Sequence, residues 1–144
     1  MKTANDLRAE YNRVQSKLGK LEHWLDRSYQ QVISLDFGKL SENEVDTLEA
    51  FTSRFQRALE YFTGSYLRIL DRIEARSGTL RDVLDRAEKR GLIDSAEAFW
   101  NLKIMRNEMA HEYPDFDPVE LAKPALEQTS ALLDALRKGQ ALEI

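Results

Sequence analysis

The residues best suited to chemistry lie close together in one segment, Arg106-Asn107-Glu108-Met109-Ala110-His111-Glu112-Tyr113. Histidine changes its charge near neutral pH and can therefore move a proton. Arginine presents a fixed fork of hydrogen-bond donors that suits the oxygens of a phosphate. Placed together on one helix, the two residue types point to binding or cleavage of a phosphodiester.

The spacing of these residues indicates how they cooperate. Arg106 and His111 are five residues apart, so on a helix they are separated by about 140° of rotation and about 7.5 Å of rise. They do not touch as an i,i+4 pair does, but they can line one pocket. Asn107 lies one turn before His111 on the same face. A two-fold axis that brings a second copy of the helix against the first would pool two Arg and two His in one cleft.

The helix that carries this segment has two apolar stripes. One is the expected core seam of Ala98, Leu102, Met105 and Met109, in which the methionines fill the core. The other begins apolar and ends polar, because it runs through Trp100, Ile104, Asn107 and His111. The second stripe predicts a packing surface outside the core of a single chain.

Composition excludes several classes of site. There is no cysteine, which rules out disulfides, thiolate zinc sites, iron–sulfur clusters and a cysteine nucleophile. His23 and His111 are the only histidines and lie far apart in sequence, so we expect no metal site. The sequence has neither a glycine-rich phosphate loop nor a G-x-S-x-G turn, and we expect no cofactor.

The chain as a whole reads as one helical domain over residues 1–144. It is 42% hydrophobic and 32% charged, with only 6 Gly and 3 Pro. The net charge of −4 argues against a general polyanion binder. We see neither a signal-peptide core nor an apolar run of about 20 residues, and therefore expect a cytoplasmic protein without a membrane partner.

One stretch departs from the overall acidity. Arg54, Arg57, Arg68 and Arg72 follow helical steps together with Tyr61, as a track for an RNA backbone would. The alternative is a solvated face whose arginines pair with Asp and Glu of the same helix and of the first helix.

Hydrophobic periodicity and capping signals divide the chain into four main helices and a short one, which we expect to form an all-α, up-and-down bundle. A proline inside the last helix, Pro124, predicts a kink or a division of that helix. The first predicted helix runs from Ala4 to about Ser34, and the second runs from a Ser41-x-x-Glu44 capping box to Ser77-Gly78. The short helix extends from Leu80 to Arg90. The next begins at an Asp94-x-x-Glu97 capping box and ends at about Glu112, before Tyr113-Pro114, and the last runs from Asp117-Pro118 to the end of the sequence.

The eight-residue segment at 106–113 resembles the Arg-x4-His-x-Tyr motif of HEPN-domain proteins, and specifically of the HepT toxins that are paired with MNT nucleotidyltransferase antitoxins. The resemblance includes the Asn after the Arg, and the helical bundle agrees with it across most of the chain. It implies a homodimeric, metal-independent endoribonuclease toxin whose two motifs face each other across the dimer cleft, and which the antitoxin neutralises.

The resemblance also suggests roles for the individual residues. His111 would act as a base toward a ribose 2′-OH or as an acid toward the leaving 5′-oxygen, while Arg106 stabilises the charge on the phosphoryl oxygens. Asn107 would orient the imidazole or hold phosphate. Tyr113 resembles the tyrosine that the partner modifies with AMP in some HepT systems, which would add negative charge beside the cleft and oppose RNA binding.

Two other interpretations stay open. In the first interpretation, the chain is a non-catalytic HEPN-like module that binds a nucleotidyltransferase or a nucleotide. In the second, it is a plain helical dimer.

Each candidate side chain also has a purely structural alternative. His111 is then a cap at a helix carboxyl end, and Tyr113 packs on nearby apolar residues. Arg106 pairs with Glu112 or with an acidic residue of a neighbouring helix. His23, beside Trp24, is an ordinary surface residue.

Overall fold

In the computed structural model, the backbone is described for residues 2–112 and 117–144, and the side chains for residues 2–107 and 117–144. The helices are α1 (Ala4–Val32), α2 (Glu42–Tyr61), α3 (Leu67–Ile73), α4 (Leu80–Lys89), α5 (Ala96–Glu112) and α6 (Pro118–Ala141). A π-helical turn, Phe62–Tyr66, joins α2 to α3 without a break. Residues 2–112 and 117–144 contain no strand, which confirms the all-α architecture of four long helices and a short one.

Side-chain caps begin most of these helices. Ser41 and Glu44 form the predicted capping box at the start of α2, and Asp117 accepts a hydrogen bond from the Val119 backbone N–H at 2.7 Å, with Pro118 in the first turn of α6. Thr3 with Asp6 and Thr79 with Asp82 cap α1 and α4 in the same way. Polar residues that bond free backbone N–H groups therefore set where the elements start.

The start of α5 differs from the prediction. The capping box expected at Asp94 and Glu97 is wrong, because Ser95 occupies the cap and its hydroxyl accepts from the Ala98 N–H at 3.1 Å. The carboxylate of Glu88, on α4, accepts from the Ala96 N–H at 2.9 Å. A tertiary contact thus satisfies a donor that the sequence pattern assigned to a local side chain. The predicted end of α5 at Tyr113-Pro114 lies outside the described residues.

The second long helical segment ends four residues earlier than expected, at Ile73 rather than at Ser77. The chain turns at Ala75, which has a φ of 57°, and again at Gly78, with a φ of 136°. Asp71 directs this turn: its carbonyl accepts from the Arg76 N–H at 2.8 Å, and its buried carboxylate holds Arg86 of α4 at 2.7 Å. A buried ion pair that fastens α4 against α3 overrides the local helical pattern.

Three long elements form the central bundle, with α1 antiparallel to both α2 and α6. Near the end of α1, Ser28 meets Arg54 of α2; near its start, Gln15 donates to the Gly139 carbonyl of α6 at 3.0 Å. The last element runs unbroken through Pro124, so of the two outcomes predicted there the division is wrong. No described helix is long and apolar enough to cross a bilayer.

A pair of buried tyrosines ties the three elements together at one end. The hydroxyls of Tyr11 and Tyr66 lie 2.9 Å apart, Tyr66 donates to the Gly139 carbonyl at 3.0 Å, and Tyr11 donates to the Leu142 carbonyl at 2.9 Å. Burial raises the pKa of Tyr66. Glycine is required at 139 because a Cβ there would lie 2.9 Å from a methyl of Leu18 and 3.2 Å from the Tyr66 ring.

Candidate functional site

The buried face of α5 is not quite the predicted seam. Phe99 is buried against the Phe62 ring, with 6.3 Å between ring centroids, and Leu102 lies beneath it in the core. Ala98 is only half-buried, and Met105 is 36% exposed, so the expected core-filling role of Met105 is wrong. The aromatic contact between Phe99 and Phe62 rotates the helix away from the seam. Met109 lies outside the described side chains.

The second stripe of α5 faces solvent in the single chain. Trp100 is half-buried beneath Arg81, whose guanidinium carbon lies 5.9 Å from a ring centroid of the indole. Ile104 is 39% exposed, and Asn107 is exposed as well. The part of this stripe that the structure describes therefore begins against α4 and ends in an open surface of mixed apolar and polar character.

Arg106 is held by an acidic residue of a neighbouring helix. Its guanidinium forms an ion pair with Glu60 of α2, and the two side chains are 38% and 39% exposed. This is one of the two pairings that the structural alternative offered for Arg106. An ion pair as exposed as this contributes about 1 kcal/mol or less, because solvent screens it. A phosphate that approaches Arg106 therefore has only a weak internal competitor to displace.

Lys103 is a member of this cluster that motif reasoning missed. Burial lowers the pKa of its ammonium group, an effect that Glu60 opposes and Arg106 reinforces. Its position three residues before Arg106 and four before Asn107, on the same side of the helix, is the sequence signal that could have found it. Glu60, Lys103 and Arg106 together form a cluster, here called the α2–α5 charge cluster.

Arg106 also lines a shallow groove between α2, α5 and α6, whose enclosed volume of about 20 Å³ is close to that of one water molecule. The groove is mainly apolar, with Phe55 and Leu59 from α2, Leu102 from α5, and Leu121 from α6 among its lining residues. The Arg106 guanidinium therefore lies at a boundary between two surfaces. On one side is the apolar lining of the groove, and on the other is the α2–α5 charge cluster.

Two of the candidate residues lie beyond what the structure describes in full. His111 belongs to the last turn of α5, and its side chain is outside the described part. Tyr113 is outside it altogether. Of the motif, the structure places Arg106 and Asn107, both on the accessible surface of α5.

The arginines of the predicted RNA track have different surroundings. Arg68 donates to the Gly78 carbonyl at 2.9 Å, and Arg72 pairs with Glu10 of α1 at 3.4 Å, as the solvated-face alternative expects for Arg72. Arg54 and Arg57 lie within 4.0 Å of no carboxylate in the described ranges 2–107 and 117–144. Of these four arginines, only Arg72 is paired with a carboxylate in the described ranges, whereas Arg54 and Arg57 bond the hydroxyls of Ser28 and Ser53.

Among the described side chains, no group of three or more His, Asp or Glu is arranged to hold a metal ion. Comparison of the chain with protein-family models, with curated proteins and with solved structures gives no match.

Proposed function

We propose that this chain is a metal-independent endoribonuclease, the HEPN toxin of a HEPN/MNT toxin–antitoxin pair, which cleaves RNA in a cleft between two copies of the chain. The observation that carries the proposal is the spacing of Arg106, His111 and Tyr113 in the sequence, with Arg106 and His111 in the penultimate helix. The proposal assigns the reaction to Arg106 and His111, with Asn107 as a supporting residue.

The chemistry is an attack of the ribose 2′-oxygen on the adjacent phosphorus. The new P–O2′ bond forms as the P–O5′ bond breaks, which leaves a 2′,3′-cyclic phosphate on one fragment and a 5′-OH on the other. His111 takes the proton of the 2′-OH or supplies one to the 5′-oxygen, since an imidazole is able to exchange a proton near neutral pH. Arg106 neutralises the charge that develops on the phosphoryl oxygens.

The surroundings of Arg106 are compatible with this role. Its partner Glu60 is a surface carboxylate, so the guanidinium can be transferred to a phosphate at small cost. Lys103 adds a second cationic group to the same cluster. Ile104 and Met105, both exposed on the same helix, offer apolar area for a second copy of α5.

The proposed neutralisation acts on the same region. A nucleotidyltransferase partner that transfers AMP to the Tyr113 hydroxyl would place a phosphodiester charge two residues from His111. Like charges repel, so the modified chain would bind RNA less well.

The experiment is incubation of the purified protein with total RNA in EDTA, followed by analysis of the fragment ends. Arg106→Ala is compared with Arg137→Ala, which removes the same charge from α6 at an exposed pair with Glu22. The proposal expects cyclic phosphate ends from wild type and Arg137→Ala, and at least a tenfold loss of rate in Arg106→Ala, the order seen when a group that stabilises a transition-state anion is removed. Absence of cleavage by folded wild-type protein would contradict the proposal.

If the folded wild-type protein does not cleave RNA, the result favours the alternative function, a non-catalytic interaction module. It is tested by titrating the same preparations with a mononucleotide such as AMP, since a module that grips a nucleotide at Arg106 binds it without turnover.

A further inference from the structure

An exposed tryptophan between α1 and α2 is surrounded by arginines. Trp24 is 43% exposed, and the guanidinium carbons of Arg27 and Arg54 lie 5.3 Å and 5.2 Å from ring centroids of its indole. Beside the indole is an open hollow of about 240 Å³, lined by Leu21, Trp24, Arg54 and Arg57. We call Trp24, Arg27, Arg54 and Arg57 the Trp24 platform.

One carboxylate lies near this platform without forming an ion pair with it, because Asp46 lines a further hollow together with Arg27 and Arg54. None of Arg27, Arg54 and Arg57 lies within 4.0 Å of a carboxylate in the parts of the chain whose side chains are described. Arg54 is nevertheless fixed, because its guanidinium bonds the hydroxyl of the buried Ser28 and lies against the indole. A preorganised arginine costs less entropy when it binds a ligand than a mobile one does.

A second hollow continues the surface toward the candidate site. It shares Leu21 and Arg57 with the first and extends to Glu60, Tyr61 and Ser65. Lys17 lies over the Tyr61 ring, 5.9 Å from its centroid, and adds another cation along this route.

Glu60 lines the second hollow and also forms the ion pair with Arg106. The two hollows therefore form one path along the α1–α2 groove from Trp24 to the α2–α5 charge cluster, with an aromatic ring and unpaired cations at intervals along it.

We propose that the Trp24 platform binds single-stranded RNA and leads the strand to Arg106. A nucleobase stacks against the exposed indole and the guanidinium planes beside it, while Arg54 and Arg57 contact phosphates. Single strands are the substrate class because only unpaired bases have free faces to stack, and a duplex hides them. The direction of the path rests on the proposed ribonuclease function, but the binding surface does not.

The sequence allows a direct spectroscopic test, because it contains only two tryptophans, Trp24 and Trp100. In Trp100→Phe the indole emission comes from Trp24, and in Trp24→Leu it comes from Trp100. Each variant, checked for unchanged helical circular dichroism, is titrated with an unstructured RNA of about 12 nucleotides, long enough to span both hollows. The same titrations with a hairpin duplex and with polyglutamate test the other occupants.

The platform predicts quenching of indole emission by single-stranded RNA in Trp100→Phe and none in Trp24→Leu. The affinity of Trp24→Leu should fall by about fivefold or more, as loss of one base–aromatic stack does. Arg54→Ala and Arg57→Ala should each weaken binding and make it less dependent on salt, whereas Arg137→Ala should not. Equal affinity of Trp24→Leu and wild type would overturn the proposal, as would binding of polyglutamate or duplex in preference to the single strand.

The outcomes separate this inference from the proposed function. Quenching of Trp24 by RNA in a protein that cleaves nothing would leave the binding surface standing and remove the ribonuclease. Cleavage of RNA with the same KM in Trp24→Leu as in wild type would keep the ribonuclease and remove the platform.

Discussion

Glu60 of α2 and Arg106 of α5 form an ion pair at the surface of the molecule. The pair connects two helices that carry different parts of the proposed site. Through Glu60, the groove that starts at Trp24 reaches the arginine of the Arg-x4-His-x-Tyr motif. The carboxylate occupies the donors that a phosphate would use, so the pair holds Arg106 in place and competes with an anionic ligand at the same time.

Removal of this competitor should strengthen RNA binding. Glu60→Gln, made in a His111→Ala background so that RNA is not consumed, is expected to bind single-stranded RNA a few-fold more tightly, because Arg106 no longer has to leave a carboxylate. Fluorescence anisotropy of a labelled strand measures the change. Glu49→Gln makes the same change of charge at an exposed position of the same helix. An equal gain in affinity from both variants would mean that the effect is one of net charge alone.

Lys103 should limit stability rather than provide it. Because burial lowers the pKa of its ammonium group, the folded state disfavours the charged form, and Lys103→Met is expected to raise the midpoint of urea unfolding near pH 7. At pH values between the lowered pKa and the ordinary value of 10.5, the unfolded chain binds more protons at Lys103 than the folded chain does, so the free energy of unfolding increases with pH in this range. Wild type therefore gains stability there relative to the variant.

The measurement for Lys103 is urea unfolding of both proteins at about pH 7 and about pH 10, with the exposed Lys39→Met as a control. The difference in urea midpoint between wild type and Lys103→Met should be smaller at the higher pH. A difference in unfolding midpoint that widens, or a variant less stable than wild type at both values, would show that Lys103 stabilises the fold through its electrostatic attraction to Glu60 instead.

The tyrosine pair should stabilise the closed end of the bundle. Tyr66→Phe removes the hydroxyl that donates to the Gly139 carbonyl, so the free energy of unfolding is expected to fall by about 1–2 kcal/mol. Tyr29→Phe is the matched control, since the Tyr29 ring packs on Phe51 and its hydroxyl has no hydrogen-bond partner among the described residues. Similar losses in the two variants would refute a specific role of the hydrogen bonds.

Asp71 should be the strongest single ion-pair contribution to the fold. Asp71→Ala leaves Arg86 and Arg90 without the buried carboxylate that holds them, and loss of one partner of a buried pair costs about 3 kcal/mol or more. Asp85→Ala breaks an exposed pair with Arg81 and should cost about 1 kcal/mol or less. Thermal unfolding followed by circular dichroism distinguishes the two, and equal losses would contradict the account of the α3–α4 connection.

Features set by local chemistry were predictable from the sequence. The capping box at Ser41 and the proline in the first turn of α6 each depend on residues a few positions apart, and the structure has both. The number of helices follows from the same signals.

Features set by tertiary contacts were not predictable in this way. The early end of α3 at Ile73 and the hydrogen bond that the Ala96 N–H makes at the start of α5 involve side chains of α4, Arg86 and Glu88. The same holds for the site, since nothing in the sequence pairs Arg106 with Glu60 or places Trp24 beside Arg54.

The measurement that tests the central claim most directly compares the two histidines of the chain. Wild type, His111→Ala and His23→Ala are incubated in EDTA with a defined single-stranded RNA, and the rate and end groups of cleavage are measured. The account predicts 2′,3′-cyclic phosphate ends, a wild-type rate at saturating RNA in His23→Ala, whose ring packs on Trp24 rather than near Arg106, and a loss of about 100-fold or more in His111→Ala with the fold retained. Undiminished cleavage by His111→Ala would contradict it.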